Sequence, residues 1–225
     1  MTMVRDLRHH DVEPAPLPGG GRPAAPVTVT RMRGRHLDGV LAIERKVYPR
    51  PWSPSLLRSE LRQRGTRRYL VALDGRLPGR RRVVGYAGLL VQVGEAHVTT
   101  VAVHPAEHRR KIASRLLVRL LSQAIAMAAD SATLEVRTTN PGAVRLYERF
   151  GFVSAGVRPG YYAETGEDAL VMWAHGLRGE DFAARLAGVE AELDLPGGSS
   201  GAADLAVPWV RGRVGLGGSS VEDGE

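Results

Sequence analysis

Residues 98–121 read VTTVAVHPAEHRRKIASRLLVRLL, and the rest of the chain is arranged around them. The β-branched start predicts a strand that stops at His104-Pro105. Apolar residues then recur at helical spacing from residue 112, which predicts an amphipathic helix. The first turn of a helix has amides without an intrahelical partner, and its dipole is positive there. With the basic run 109–111 beside it, this stretch predicts a phosphate site. An ordinary strand–helix crossover with surface arginines stays open as the alternative.

The composition sets broad limits on the function. The 225 residues carry a net charge of +7 and no cysteine, which excludes disulfides, thiolate nucleophiles and cysteine-bound metals. The basic residues are scattered with few aromatic residues among them, so we expect no direct nucleic-acid binding. No apolar run approaches the ~20 residues that cross a membrane, and no signal peptide is visible. We therefore expect a soluble, cytoplasmic protein with no membrane partner.

The chain is expected to have three parts. Residues 1–26 are rich in proline and glycine and predict a disordered leader. Residues 27–175 hold the periodic segments of one domain. Residues 176–225 form a C-terminal extension, with one short helix over 180–193 and then a disordered tail.

The periodic segments of the domain follow the order β, α, α, β, β, β, α, β, α, β, β, which predicts a mixed α/β sheet. In the strand 131–137, alternation places Thr133, Glu135 and Arg137 on one face. Asn140-Pro141 predicts a helix start, and Gly151 a helix stop. The predicted strands are 27–30, 69–73, 82–91, 98–104, 131–137, 152–157 and 168–174, and the predicted helices 35–47, 54–63, 141–150 and one that ends near residue 130.

Three polar features should meet near the carboxyl ends of the central strands: the basic loop, Glu135, and the helix with Asn140 and Tyr147. Each also has a purely structural interpretation. Tyr147 could be a core residue, Asn140 only a cap, and Glu135 a strand residue paired with an arginine. No metal site is predicted, because the histidines show no paired-ligand pattern; these are His97, His104 and His108.

Together, the segments VAVHPAEHRRKIASRLL, LEVRTTNPGAVRLYERFGF and RPGYYAETGEDALVM resemble the GNAT superfamily of acetyl-CoA-dependent N-acetyltransferases. YPRPWS, EVR-x-x-N and GYY further resemble its bacterial ribosomal-protein-alanine N-acetyltransferases. The resemblance covers residues 27–175 in the same order. It implies an α/β fold with a mixed, mostly antiparallel sheet, a splayed central parallel strand pair and helices on both faces.

The resemblance implies acetyl-CoA as co-substrate and no metal. Acetyl-CoA would lie between the strands 98–104 and 132–137, with its pyrophosphate on the amides of residues 108–113. Backbone groups of Val101 and Val103 would hold the pantetheine and polarise the acetyl carbonyl. The implied cofactor-binding positions are Val101, Ala102, Val103, His108, Arg109, Arg110, Lys111, Ile112, Ala113, Asn140 and Tyr147.

The resemblance also implies direct attack by an amine in a ternary complex. Glu135 matches the general base, acting directly or through water, and Tyr147 matches the general acid that protonates the leaving thiolate. His97 is a minor alternative base, which a regular strand would place on the face of Thr99 and Val101. The implied substrate-binding positions are Tyr48, Trp52, Tyr161 and Tyr162. The charges of Glu164, Glu167 and Asp168 line the amine site or are merely solvated.

One departure from the family pattern concerns the phosphate loop. The family reads Gln/Arg-x-x-Gly-x-Gly/Ala, whereas this chain has His108 first, Lys111 in place of the first glycine, and Ala113 last. If the backbone requires positive φ at Lys111, a lysine costs on the order of 1 kcal/mol or more. We expect weakened or rearranged cofactor binding rather than its loss.

The expected function is acetyl transfer to a primary amine, with the N-terminal alanine of a ribosomal protein as the implied acceptor and partner. Lysine side chains, polyamines and aminoglycosides stay open as acceptors. A non-catalytic CoA-binding module stays open as well, because of Lys111 and His108.

Overall fold

A seven-stranded sheet forms the centre of the computed structural model, which describes residues 27–77 and 80–193. The strands are β1 (Val27–Arg31), β2 (Arg67–Leu77), β3 (Arg80–Gln92), β4 (Glu95–Val103), β5 (Ser131–Arg137), β6 (Val153–Tyr162) and β7 (Glu167–His175). Their order is β1-β2-β3-β4-β5-β7-β6, and every neighbouring pair is antiparallel except β4 and β5. The predicted fold class is confirmed.

Within residues 27–77 and 80–193, five α-helices flank the sheet: α1 (Leu37–Val47), α2 (Pro54–Arg62), α3 (Ile112–Ala126), α4 (Pro141–Arg149) and α5 (Glu180–Glu192). The sequence sets their ends by capping. The Ser53 hydroxyl accepts from the N–H of Leu56 at 3.2 Å, and the Asn140 carboxamide accepts from the N–H of Ala143 at 3.0 Å. Gly151 follows α4 with a φ of +86°, as its position after a helix predicts.

Two apolar cores lie on opposite faces of the sheet. On one face, α3, α4 and α5 cover the inward side chains of the central strands, including Leu134 and Val136 of β5. On the other face, α1 and α2 pack on a smaller set that includes Val71 and Tyr86. Thr133, Glu135 and Arg137 are partly exposed and alternate with the buried Ala132, Leu134 and Val136, so the predicted alternation of β5 is confirmed.

α5 enlarges the first core. The predicted helix at 180–193 is observed as Glu180–Glu192, and its Phe182, Leu186 and Val189 are buried against α3. The predicted leader (1–26), the tail beyond residue 193 and the turn residues 78–79 lie outside the described residues. Within the described ranges, no helix combines the length and apolarity that a membrane crossing requires.

Three strands differ by more than two residues from their predicted bounds. β2 runs to Leu77, four residues past its predicted end. β6 extends five residues past 157 to Tyr162, and all its other residues are exposed, so no apolar alternation marks its length. β4 begins at Glu95, three residues before the predicted start, because the short segment Glu95–His97 pairs with both β3 and β5.

Candidate active site

The candidate site lies where β4 and β5 separate. The two strands pair over three rungs, the last of which joins His97 to Thr133. Farther along β4, a cavity of about 620 Å³ opens between this strand, the loop before α3 and the start of α4. Its lining contains every predicted cofactor-binding position except Arg110, and adds Val47, Glu107, Gly142, Ala143 and Leu146. The splayed pair therefore borders a space into which an extended ligand can enter.

A β-bulge changes which side chains of β4 face this cavity. The register with β3 slips between Val98 and Thr100, which leaves Thr99 as the extra residue. Val98 and Val101 consequently both pack on the core beneath α3. In a regular strand, residues three positions apart would face opposite sides. The expectation that His97 shares a face with Val101 is wrong, because the bulge intervenes. His97 lies on the opposite face, with Glu135.

The loop before α3 has the backbone conformation of an anion site. Arg109 and Lys111 have left-handed φ values of 63° and 55°, and Lys111 is the N-cap of α3 without a side-chain capping bond. Alternating right- and left-handed residues turn successive amides towards one side. The first-turn amides of α3 also have no intrahelical partner. The loop therefore presents N–H donors beside the cavity.

Lys111 stands at a position that does require positive φ. A lysine there costs on the order of 1 kcal/mol relative to glycine. Its side chain reaches the end of α5, where Nζ donates to the backbone carbonyl of Glu192 at 3.2 Å. A cation is favoured at that end of a helix by the dipole. The backbone amide stays at the cavity while the ammonium is held elsewhere.

Arg110 supports the loop from below. Its guanidinium donates to Asp74 of β2 at 3.1 Å and to Glu107, which also accepts from Arg82. The side chains of Asp74 and Glu107 are 3% and 5% exposed, so these are buried ion pairs. Arg110 therefore ties the loop to the sheet and does not line the cavity.

Tyr147 closes the cavity on the α4 side. Its ring is buried and meets Phe152 edge-on, with 5.9 Å between the ring centroids. Burial, followed by the nearby Tyr48 and Tyr162 hydroxyls, raises the pKa of Tyr147 well above its ordinary value. Burial likewise raises the pKa of Tyr162 to about 12. A phenol carries its proton at neutral pH, so either tyrosine has a proton that a leaving thiolate can take.

Glu135 lies on the other side of the splay, at the end away from the phosphate loop. One carboxylate oxygen is 2.7 Å from Nε2 of His97, and the other accepts from Arg158 of β6 at 2.7 Å. Its backbone carbonyl accepts from the Tyr162 hydroxyl at 3.4 Å. Tyr162 thus contacts the backbone of Glu135, and its hydroxyl is one of the groups that raise the pKa of Tyr147.

The predicted substrate positions Tyr48 and Trp52 flank a loop after α1. The Tyr48 hydroxyl is hydrogen-bonded to Thr100 of β4 at 3.1 Å, and the Trp52 ring meets Tyr69 edge-on at 6.3 Å. The backbone N–H of Trp52 donates to Glu44 at 2.7 Å. The loop is thus fixed at both aromatic residues.

Sequence reasoning missed Glu44, a carboxylate that is only 1% exposed. It accepts from the Tyr86 hydroxyl, which in turn accepts from Thr100 at 3.3 Å. Burial raises the pKa of Glu44, and the hydrogen bond from Trp52 opposes that rise. Its spacing of four residues after Val40, on the apolar side of α1, was the available signal.

The remaining predicted substrate residues lie at the end of β6. Tyr161 is 44% exposed and meets Tyr162 edge-on at 5.2 Å, while the Arg137 guanidinium lies 3.9 Å above the Tyr162 ring. The nearby carboxylates are engaged. Arg137 pairs with Glu164 at 3.0 Å and with Glu167, and Asp168 accepts from the N–H of Gly160 at 2.8 Å.

Comparison with known proteins agrees with this geometry. Residues 37–152 match the acetyltransferase (GNAT) family. The chain is 33% identical over 154 residues to the N-alpha-acetyltransferase RimI of Mycobacterium tuberculosis, covering 65% of this chain and 91% of that protein. It is 29% identical over 147 residues to the ribosomal protein bS18-alanine N-acetyltransferase of Escherichia coli K12, covering 64% of this chain and 95% of that one.

A solved structure shows the same fold. The crystal structure of the ribosomal-protein-S18-alanine N-acetyltransferase from Escherichia coli matches with a TM-score of 0.59 and 26% identity, over 67% of this chain and 94% of that one. The family match spans half of the chain and contains the β4–α3 loop, Glu135 and Tyr147. The chain belongs to the GNAT family and is an acetyl-CoA-dependent N-acetyltransferase.

Proposed function

We propose that this enzyme acetylates the N-terminal α-amine of a protein, and that its acceptor is the alanine N-terminus of ribosomal protein bS18. The relatives at about 30% identity, whose names state that substrate, support the choice of acceptor. The observation that carries the chemistry is the position of Tyr147 at the cavity beside β4 and of Glu135 against His97, on either side of the β4–β5 splay.

The cavity residues fit acetyl-CoA. The diphosphate would meet the amides of residues 108–113, where the left-handed backbone at Arg109 and Lys111 presents N–H donors. The edge of β4 at Val101–Val103 is free to hold the pantetheine arm, since β5 has left it after His97. Asn140 and Tyr147 line the α4 side. Bound acetyl-CoA supplies the thioester carbonyl as the electrophile.

Two protons must move in the reaction, and the site has a group for each. An ammonium has no lone pair, so it must lose a proton before its nitrogen attacks; Glu135, directly or through a relay, serves as the base. The leaving sulfur needs a proton, which the buried Tyr147 hydroxyl supplies. Tyr147 is protonated at neutral pH, as any phenol is, and its position at the cavity makes it the candidate acid.

The acceptor would enter from the face that carries Glu135. The exposed ring of Tyr161, with Tyr162 beside it, lies on one side of that entrance. Tyr48 lies on the other, hydrogen-bonded to Thr100. Because Glu164 and Glu167 are already paired with Arg137, the entrance offers aromatic walls more than free carboxylates. Such walls suit the first residues of a peptide better than a polycation.

The experiment is a competition among acceptors with the full chain and acetyl-CoA. A peptide that begins with the bS18 N-terminus is compared with the same peptide blocked at its α-amine but containing a lysine, and with spermidine. Release of CoA is followed, and mass spectrometry locates the acetyl group. We expect acetylation at the free α-amine. Modification of only lysine or spermidine would contradict the proposed acceptor.

A further inference from the structure

We infer that His97 is the residue that takes the proton from the amine, while Glu135 orients and supports its imidazole. This inference rests on the proposed function, since it names the relay between the amine and the carboxylate. It assigns a catalytic role to a residue that the GNAT resemblance does not mark.

The fold brings the two side chains together at the mouth of the splay. His97 occupies the last rung at which β4 pairs with β5, opposite Thr133. Glu135 comes two residues later on β5 and therefore projects from the same face as Thr133. The bulge at Thr99 follows immediately and turns Val101 towards the cavity. His97 lies on the last paired rung and Glu135 just past it, so the two form a polar pair where the strands begin to separate.

The carboxylate of Glu135 is already occupied. Its side chain is 8% exposed, one oxygen lies 2.7 Å from Nε2 of His97, and the other accepts from Arg158 at 2.7 Å. A carboxylate only accepts hydrogen bonds when it is ionised, so the proton in the first contact is on Nε2. Each oxygen keeps an acceptor lone pair, but with only 8% of the Glu135 side chain exposed an incoming ammonium meets His97 more easily than the carboxylate.

The imidazole of His97 has an open lone pair instead. Its side chain is 37% exposed, and within the described part of the chain Nδ1 makes no hydrogen bond. A neutral imidazole with its proton on Nε2 has its acceptor lone pair on Nδ1. His97 therefore presents a basic nitrogen to solvent and to an incoming amine, on the side away from Glu135.

The charges around His97 favour a transient imidazolium. Glu135 faces the ring directly, and Arg158 lies behind that carboxylate with its guanidinium 5.9 Å from the Tyr161 ring centroid. On β3, the neighbour across the rung is the uncharged Leu90. Beyond it on β2, Arg67 is paired with Glu60 at 2.9 Å. The anion nearest the imidazole is thus Glu135, as in other carboxylate–histidine bases.

The proton and electron movements balance. One ammonium N–H proton passes to Nδ1 of His97, and the freed lone pair forms the bond between nitrogen and the acetyl carbonyl carbon. The carbon–sulfur bond breaks with its electrons on sulfur, which takes the Tyr147 proton. The acylated nitrogen then loses its extra proton, which restores the Tyr147 hydroxyl. His97 releases its proton to solvent through its exposed edge, so one proton leaves per turnover.

The test is the pH profile of kcat/KM for wild type, His97→Gln and Glu135→Gln, with acetyl-CoA and the N-terminal peptide. A glutamine at 97 can still donate to Glu135 but cannot take a proton. We expect His97→Gln to lose about 10²-fold or more in kcat/KM and to lose the acidic limb of the profile. Glu135→Gln should also lower kcat/KM but keep the acidic limb, because it removes the carboxylate that orients the imidazole and leaves the imidazole itself in place.

Two controls keep a folding defect apart from a catalytic one. His175→Gln alters an exposed histidine that stacks on Trp173, and it should leave the rate and the limb unchanged. His97→Ala should recover activity when imidazole is added, which a merely structural histidine would not do. Calorimetric binding of acetyl-CoA reports whether each variant keeps its site.

A wild-type rate and limb in His97→Gln would overturn the inference and leave the proposed acceptor intact. Absence of transfer to the peptide by the wild type would overturn the proposed acceptor instead. The His97 comparison would then be made with the amine that the wild type does acetylate, and the same two results would decide it.

Discussion

The Nζ atom of Lys111 donates a hydrogen bond to the backbone carbonyl oxygen of Glu192, 3.2 Å away. The bond connects the phosphate loop to the last turn of α5. The Glu192 carboxylate pairs with Arg149 of α4, and Arg119 of α3 lies 3.8 Å from Glu190. α5 thus contacts α3 and α4, the helices on both sides of the cavity, although it lies outside the family match at residues 37–152.

Replacing Lys111 by glycine should leave acetyl-CoA binding equal or tighter. Glycine adopts the φ of 55° without strain, and the ammonium is held by α5 rather than at the cavity. The stability should change by less than about 1 kcal/mol, since relief of strain is opposed by a more flexible unfolded chain. Lys111→Ala is the matched control: it also removes the ammonium but keeps a Cβ at positive φ, and should be about 1 kcal/mol less stable than the glycine variant.

Calorimetry with acetyl-CoA and denaturant unfolding measure these differences. A loss of affinity of about tenfold (~1.4 kcal/mol) or more in both variants would contradict the expectation. Such a loss would mean that the ammonium leaves α5 to contact a phosphate.

Removing the Tyr147 hydroxyl should separate catalysis from binding. Tyr147→Phe keeps the edge-on packing with Phe152, so acetyl-CoA affinity and thermal stability should change little. The kcat should fall by ~10²–10⁴-fold, because the leaving sulfur loses its acid. Tyr69→Phe provides the control, since its hydroxyl donates to Glu60 away from the cavity and its loss should lower stability but spare kcat. An unchanged kcat in Tyr147→Phe would exclude this residue as the acid.

The sequence was sufficient for the elements that carry strong local signals. Periodicity marked α3, proline and capping residues marked the starts of α2 and α4, and Gly151 marked the end of α4. Alternation in β5 put Glu135 on the correct face. Each of these depends on neighbours within one turn or one rung, which is why the chain alone predicts them.

The features that the sequence could not supply depend on long-range contacts. The bulge at Thr99 exists because β4 must follow β3 while leaving β5, and no residue type announces it. The bulge turns Val101 away from the face on which His97 meets Glu135. Arg158 contacts Glu135 from β6, whose exposed residues show no apolar alternation that would predict the full strand. Lys111 contacts Glu192 at the end of α5, 81 residues away in the sequence.

Adding a methyl group at Gly88, opposite the bulge, should destabilise the fold. A Cβ built there lies 2.3 Å from Cε1 of Tyr69 and 3.0 Å from the Thr99 hydroxyl oxygen. Tyr69 is 3% exposed and donates to Glu60 at 2.7 Å, so its ring cannot move aside freely. Gly88→Ala should therefore lower the free energy of unfolding by about 1–3 kcal/mol.

Gly65→Ala is the control for Gly88→Ala, because a Cβ at Gly65 meets no atom within 4 Å. Denaturant melts of the two variants provide the comparison. Equal stability of the Gly88 and Gly65 variants would show that Tyr69 repacks at no cost.

The buried Glu44 should make stability depend on pH. Burial raises the pKa of Glu44 in the folded protein above its ordinary value of 4.5, so between those two values the folded state binds more protons than the unfolded state. The free energy of unfolding must then fall as pH rises from about 4.5 through the folded pKa.

Glu44→Gln can still accept from the Trp52 N–H and contact Tyr86, but it has no charge to bury. Its stability relative to wild type should therefore increase with pH, as followed by denaturant melts. Glu95→Gln, an exposed change, should show no such trend, and a flat difference for Glu44→Gln would mean that its hydrogen bonds fully offset the burial of its charge.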